Sequence, residues 1–270
     1  MKKFELTTES ITNAVGKKLF RIKALIDFGD VKAGELGGYV EKEGNVSQDG
    51  DAWVTGNAEV FSNAKVFGDA KVSGNARVSS DAEVFGDARV SGNAKVSGNT
   101  WVSGDARVSG NARVSSDAEV FGDARVSGNA RVSGNTWVSG NARVSSDAKV
   151  SGNAWVFGDA KVSGNARVSG DAKVSGNAKV SGNAKVSGNA KVSGNADYAL
   201  VQGFGTEFRC TTFYRGKNKK IMVNCGCFHG DLEEFRKQVK ETRSGKIAKE
   251  YLMIAGLMEY HFASEDSSNE

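Results

Sequence analysis

The chain has 270 residues, no proline, 34 glycines, three cysteines and a formal net charge of +4. The low, odd cysteine count speaks against a disulfide-framed scaffold and for a reducing compartment. So mild a charge implies no nucleic acid by itself, and no apolar run approaches membrane-spanning length or the form of a signal segment.

In chain order, Lys2–Leu6 and Lys18–Leu25 alternate apolar and polar residues and read as paired strands, with Thr7–Gly16 between them. Val40 and Val46 begin a six-residue valine spacing, which two extra residues interrupt before Val54. Residues 1–53 are expected to form an N-terminal β cap and a first irregular coil.

From Val54 to Val192 a valine recurs at every sixth position, twenty-four in all, on the unit V-S-G-N-A-K. A hexapeptide period is the mark of a parallel β-helix. Within Ala76-Arg77-Val78-Ser79 the strand alternation turns Ala and Val inward and Arg and Ser outward. The Gly-Asn or Gly-Asp pair that follows supplies the corner. Three hexads make a triangular turn of eighteen residues, so residues 54–197 are predicted to hold eight turns. The missing proline suits a backbone committed to ladders.

Residues eighteen apart share a column. The first face carries Glu59, Arg77, Lys95, Arg113, Arg131, Lys149, Arg167 and Lys185 over mostly Asn corners, a basic stripe without compensation. The second carries Trp53, Lys71, Arg89, Arg107, Arg125, Arg143, Lys161 and Lys179 over Asp corners at 69, 87, 105, 123 and 159, which offset its charge. The third mixes Glu83 and Glu119 with Trp101, Trp137 and Trp155, and sets Phe67, Phe85, Phe121 and Phe157 in the column beside them. Ser79–Val114 recurs almost verbatim as Ser115–Val150, so duplication alone accounts for the repeated Thr100-Trp101 and Thr136-Trp137.

Past Val192, Thr206–Arg215 and Ile221–Phe228 read as two strands about the turn Gly216-Lys217-Asn218-Lys219. Asp231-Leu232-Glu233-Glu234 opens a helix with Leu232, Phe235 and Val239 on one face. A second helix, about Ile247–Phe262, buries Ile247, Tyr251, Ile254 and Met258. Residues 198–262 thus form a ββαα head, and 263–270 a frayed acidic tail.

The hexad array resembles the hexapeptide-repeat superfamily of left-handed parallel β-helices, which includes many acyltransferases; the left hand is implied by that resemblance and not by the spacing. With its flanks Gly34-Glu35-Leu36-Gly37-Gly38-Tyr39-Val40 and Thr211-Thr212-Phe213-Tyr214-Arg215, the array also looks like uncharacterised phage and prophage proteins labelled polymer-forming or transferase-like. The expected fold is an all-β solenoid, a single-stranded parallel β-helix with an N-terminal β cap and a C-terminal ββαα cap. The expected setting is the cytoplasm of a bacterial or phage-infected cell.

Acyltransferases of that superfamily use a histidine base near the coils, but the array has no histidine and no loop. Catalysis on the coils is not expected, and neither is a cofactor. Cys225-Gly226-Cys227-Phe228-His229 puts three potential ligands at period two, with Cys210 on the partner strand. The spacing lacks the usual gap of a zinc pair, so these cysteines are expected to be reduced and packed beneath the helices, without metal. Arg77, Lys95, Arg113, Arg131 and Arg167 form a weak anion-binding candidate, set against plain solvated charge. Phe67, Phe85, Trp101, Phe121, Trp137, Trp155 and Phe157 form the candidate partner-binding site, set against ladders that merely stiffen stacked strands.

The leading expectation is a non-enzymatic structural or interaction protein, a rod that self-associates, with a trimer favoured, or binds a protein partner. The alternative is an acyltransferase-like enzyme, or a phage protein binding a host factor, nucleotide or other anion between subunits.

Overall fold

The computed structural model describes residues 1–216 and 219–263. The hexads form twenty-four two-residue strands, from Trp53–Val54 (β4) to Lys191–Val192 (β27), each bonded in parallel to strands three hexads away. Every valine from Val54 to Val192 is buried, with no bulge or excursion between them. Ala or Thr two positions earlier is buried too, so a column of small and branched side chains fills the interior.

Backbone ladders join the turns rung by rung, as in Arg77 N–H donating to Ala94 O at 2.9 Å. The corners divide their labour more sharply than the sequence reading allowed. Glycine takes the positive φ, while Asn and Asp build ladders of their own. The Nδ2 of Asn93 donates to Oδ1 of Asn111 at 3.2 Å, and Asn111 to Asn129 at 3.1 Å. Ser62, Ser80, Ser116 and Ser146 hold the glycine conformation at four corners.

The N-terminal cap begins with β1 (Phe4–Thr12), antiparallel to β2 (Lys18–Ala24), which is antiparallel to β3 (Leu36–Val40). Strand β1 runs on through Thr7–Thr12, which was expected to be a connection. The register shifts between Leu6 and Ser10, and a polar edge strand gives no hydropathy alternation to read. Val40 pairs with Val60 and Val46 bridges to Val66, so a ninth, shorter turn precedes the regular eight. Trp53 and Glu59 keep their outward register, opposite Lys71 and Arg77, but are buried there; the cap folds over the first turn and packs Phe4 and Phe28 edge-on against Trp53.

The head also departs from the two-strand reading. It is a four-stranded antiparallel sheet of β28 (Tyr198–Phe204), β29 (Arg209–Arg215), β30 (Ile221–Cys225) and β31 (Phe228–Asp231). The run Ile221–Phe228 breaks at Gly226-Cys227, a two-residue hairpin loop with Gly226 at φ 64°. Helices α1 (Leu232–Thr242) and α2 (Gly245–Phe262) cover one side of this sheet, packing Leu232, Phe235, Val239, Tyr251, Ile254 and Met258 against Phe213 and Val223. Of the expected turn at 216–219, Lys217 and Asn218 lie outside the described residues, as do residues 264–270 of the expected tail.

Candidate functional site

The third face begins with its backbone register. Trp101 pairs with Glu83 and Glu119, and Trp137 with Glu119 and Trp155, so these side chains stand in one column. Rings of neighbouring turns then meet. Phe67 stacks on Phe85 at 4.9 Å and Trp137 on Trp155 at 4.8 Å, with planes 3° and 9° apart. Phe85 meets Trp101, and Phe121 meets Trp137, edge to face. Lys173 Nζ lies 4.2 Å from the Trp155 ring centre.

A separation so near the strand spacing of about 4.8 Å means that the stacked rings face one another along the solenoid axis. Their edges point into solvent. Turns with an outer Trp at 101 and 137 carry Ser103 and Ser139 in the phenylalanine column, so a large ring alternates with a small neighbour. Around Ser139 the rings of Phe121, Trp137, Trp155 and Phe157 line a shallow groove of about 240 Å³. Trp101 and Trp137 remain 49% and 39% exposed, and Phe157 is exposed as well. The wall is both an internal ladder and an uncovered aromatic surface.

On the first face Arg77, Lys95, Arg113, Arg131, Lys149 and Arg167 align in register. Arg77 donates to Glu59 at 3.2 Å. Among the described residues the cations from Lys95 to Lys185 form no ion pair. On the second face Lys71 pairs with Asp30, and acids and bases share one groove lined by Asp123, Arg125, Arg143, Asp159 and Lys161, without a further direct pair among the described residues. Its corner Asp159 instead accepts the Nδ2 of Asn141 at 3.0 Å.

Polar side chains close the last turns. Thr212 Oγ1 accepts Lys185 N–H at 3.0 Å, and Asn224 Nδ2 donates to Lys185 O at 2.8 Å. Tyr214 Oη lies 3.3 Å from Asn224 Nδ2 and 3.0 Å from His229 Nε2. Burial pushes the Tyr214 phenol above its ordinary range. Asp197 accepts from Ser193 N–H and Oγ–H and from Gly194 N–H, and pairs with Arg215 at 3.2 Å. Burial acts to raise its carboxyl, but these donors outweigh it and hold the group below the usual carboxylate range. His229 thus serves the junction, a role its sequence neighbours did not disclose.

The cysteines are separated rather than gathered. Cys210 turns toward the solenoid, within 3.6 Å of Asn183 O, and burial raises its thiol pKa. Cys225 turns the other way, accepts from Thr211 Oγ1 at 3.1 Å, and packs against the helical side. Cys227 sits exposed in the hairpin loop, contrary to the expectation of burial beneath the helices. Among the described residues no three His, Cys, Asp or Glu side chains are placed to hold a metal. A small cavity of about 80 Å³ lies between sheet and helices, lined by Phe228, Phe235, Val239 and Tyr251 and rimmed by Gln238 and Arg243. No helix of the described residues is long and apolar enough to cross a membrane.

A family model described as Bactofilin, polymer-forming cytoskeletal, matches residues 112–203. A second, described as YdcK β-solenoid repeat, matches residues 88–104. No curated protein matches. Among solved structures, a hexapeptide transferase family protein from Anaplasma phagocytophilum aligns over 72% of this chain and 89% of its own, at 13% identity and a TM-score of 0.25. So slight an overlap bears on no activity. By fold and by repeat, the chain is a β-solenoid repeat protein.

Proposed function

We propose that this protein is a non-enzymatic structural rod that self-associates side by side through its aromatic wall, in the cytoplasm of a bacterial cell. The observation that carries this reading is the exposure of Trp101 and Trp137 in one column, with Phe157 exposed in the column beside it, on a flat face of constant rise. Exposed aromatics in such number mark interfaces. A polymer-forming description for the family matched at 112–203 agrees with self-association.

Growth by stacking one solenoid on another is opposed by both ends. Side chains of the head occupy the backbone of the last turns. At the other end Lys3 Nζ donates to Gly50 O and Ala52 O at 3.0 Å, and Asn45 Nδ2 to Ala64 O at 2.8 Å. Association is therefore lateral. The first-face cations of a second copy, Lys95 to Arg167, which form no ion pair among the described residues, are the proposed cover, since they repeat at the same rise and suit Glu83 and Glu119. Such unlike surfaces make a heterologous contact that can close, with a trimer as the proposed ring. Residues 54–197 form the rod and 198–262 the head in this reading.

Light-scattering mass at low and moderate salt tests it. The wild type should exceed monomer mass, and Trp137→Ala with Trp155→Ala should lower that mass. A monomeric wild type would overturn self-association.

A further inference from the structure

Helix α2 buries one side on the head sheet and leaves the other uncovered. Met253, Leu257 and Tyr260 are 67%, 58% and 82% exposed, and they fall on one stripe with Gly256. Apart from its chain neighbours and the helix's own backbone, nothing lies within 4 Å of where a Gly256 side chain would begin. Lys246 and Lys249 continue the stripe toward the helix N-terminus, both exposed.

We infer that this stripe is a two-fold contact with α2 of a second copy, packed antiparallel about Gly256 and Leu257. The proposal rests on the self-association put forward above, but names a different surface. Reversed, the order large, small, Leu, large becomes large, Leu, small, large, so an antiparallel copy sets each Leu257 opposite a Gly256. An antiparallel neighbour sets Met253 beside the opposing Tyr260 on both sides of the axis. Leu257 of each helix then fills the space above Gly256 of the other. That is the self-complementarity an isologous contact requires.

Charge agrees with this arrangement. Lys246 and Lys249 lie seven residues or more from the centre, so the two basic ends are kept apart. Lys249, the nearer of the two, comes just past the C-terminal end of the partner helix at Phe262, where the backbone carbonyls concentrate negative potential. A second copy brings the matching hole and knob at the same spacing in its own Gly256 and Leu257. One helix stripe falls short of the roughly 800 Å² per partner of a stable interface, so the contact is weak alone. It gains strength when the rods are already side by side.

Sedimentation velocity across a hundredfold range of concentration tests this in the Trp137→Ala, Trp155→Ala background, where wall contacts are removed. That variant should still move from monomer to dimer as concentration rises. Adding Gly256→Gln should abolish the dimer, because it fills the hole, while raising the melting temperature of the monomer through better helix propensity. Met253→Asp should abolish it too. A wall variant that stays monomeric at every concentration overturns the two-fold contact, and so does a dimer that survives Gly256→Gln. If the wild type assembles and the wall variant does not, the lateral reading stands while this one falls. If the wall variant keeps the full wild-type mass, the lateral reading falls alone.

Discussion

Two threonines take the inward position that alanine holds elsewhere, and their fates differ. Thr100 Oγ1 donates to Ser97 O at 2.7 Å, whereas Thr136 Oγ1 is buried without a partner among the described residues. An unmade bond in the interior costs about 1–3 kcal/mol, and an apolar isostere removes that cost. Thr136→Val should therefore raise the denaturant midpoint, while Thr100→Val should not. Asp197 gives the pH dependence. Its folded pKa lies below the ordinary carboxylate value, so the unfolded chain binds more protons in acid. The stability it contributes is complete above about pH 4 and is lost as pH falls through the folded value. Asp197→Asn should cost about 1–3 kcal/mol at neutral pH and flatten the acid limb of a thermal-melt profile.

At the scale of the turn, glycine's role is steric as well as conformational. Gly110 has φ 69°, and a side chain there would begin 3.0 Å from Gly128 N. Gly110→Ala should cost about 1–2 kcal/mol for the left-handed backbone alone, with crowding added, whereas Ser146→Gly should be neutral or stabilising by chemical denaturation. The aromatic wall makes two separable contributions. Stacking of Trp137 on Trp155 stiffens adjacent turns by about 0.5–1.5 kcal/mol beyond burial, and their exposed edges form the proposed interface. Trp155→Ala should lower the melting temperature even in a monomer. A fall in assembly mass on the same substitution reports the second contribution separately.

For the whole molecule, identical rise in every copy turns one favourable contact into many. If the first face covers the wall of a neighbour, replacing Arg113 and Arg131 by Glu should reduce assembly mass and weaken its dependence on salt. Sedimentation at about 50 and 300 mM salt would show this, and an unchanged salt profile would place the contact away from the basic column. Among the described residues the column from Lys95 to Lys185 forms no ion pair, which leaves it an attraction for an acidic surface.

The repeat was legible residue by residue because its contacts are local in kind. Each turn meets only the next, always eighteen residues away, so inward valines, outward columns and the number of regular turns follow from period six and period two. The heads of the rod obey no such rule. That the outward Trp53 is covered depends on a cap folding back across the first turn. Cys227 is exposed because Gly226 turns the chain and divides one apparent strand into two. The separation of Cys210 from Cys225, the engagement of His229 by Tyr214 and the uncovered face of α2 likewise come from long-range packing. Even on the third face, the sequence set which turns carry rings, but tertiary packing turned those rings toward one another. Side chains one turn apart gain more from stacking across a strand spacing than from standing alone in water.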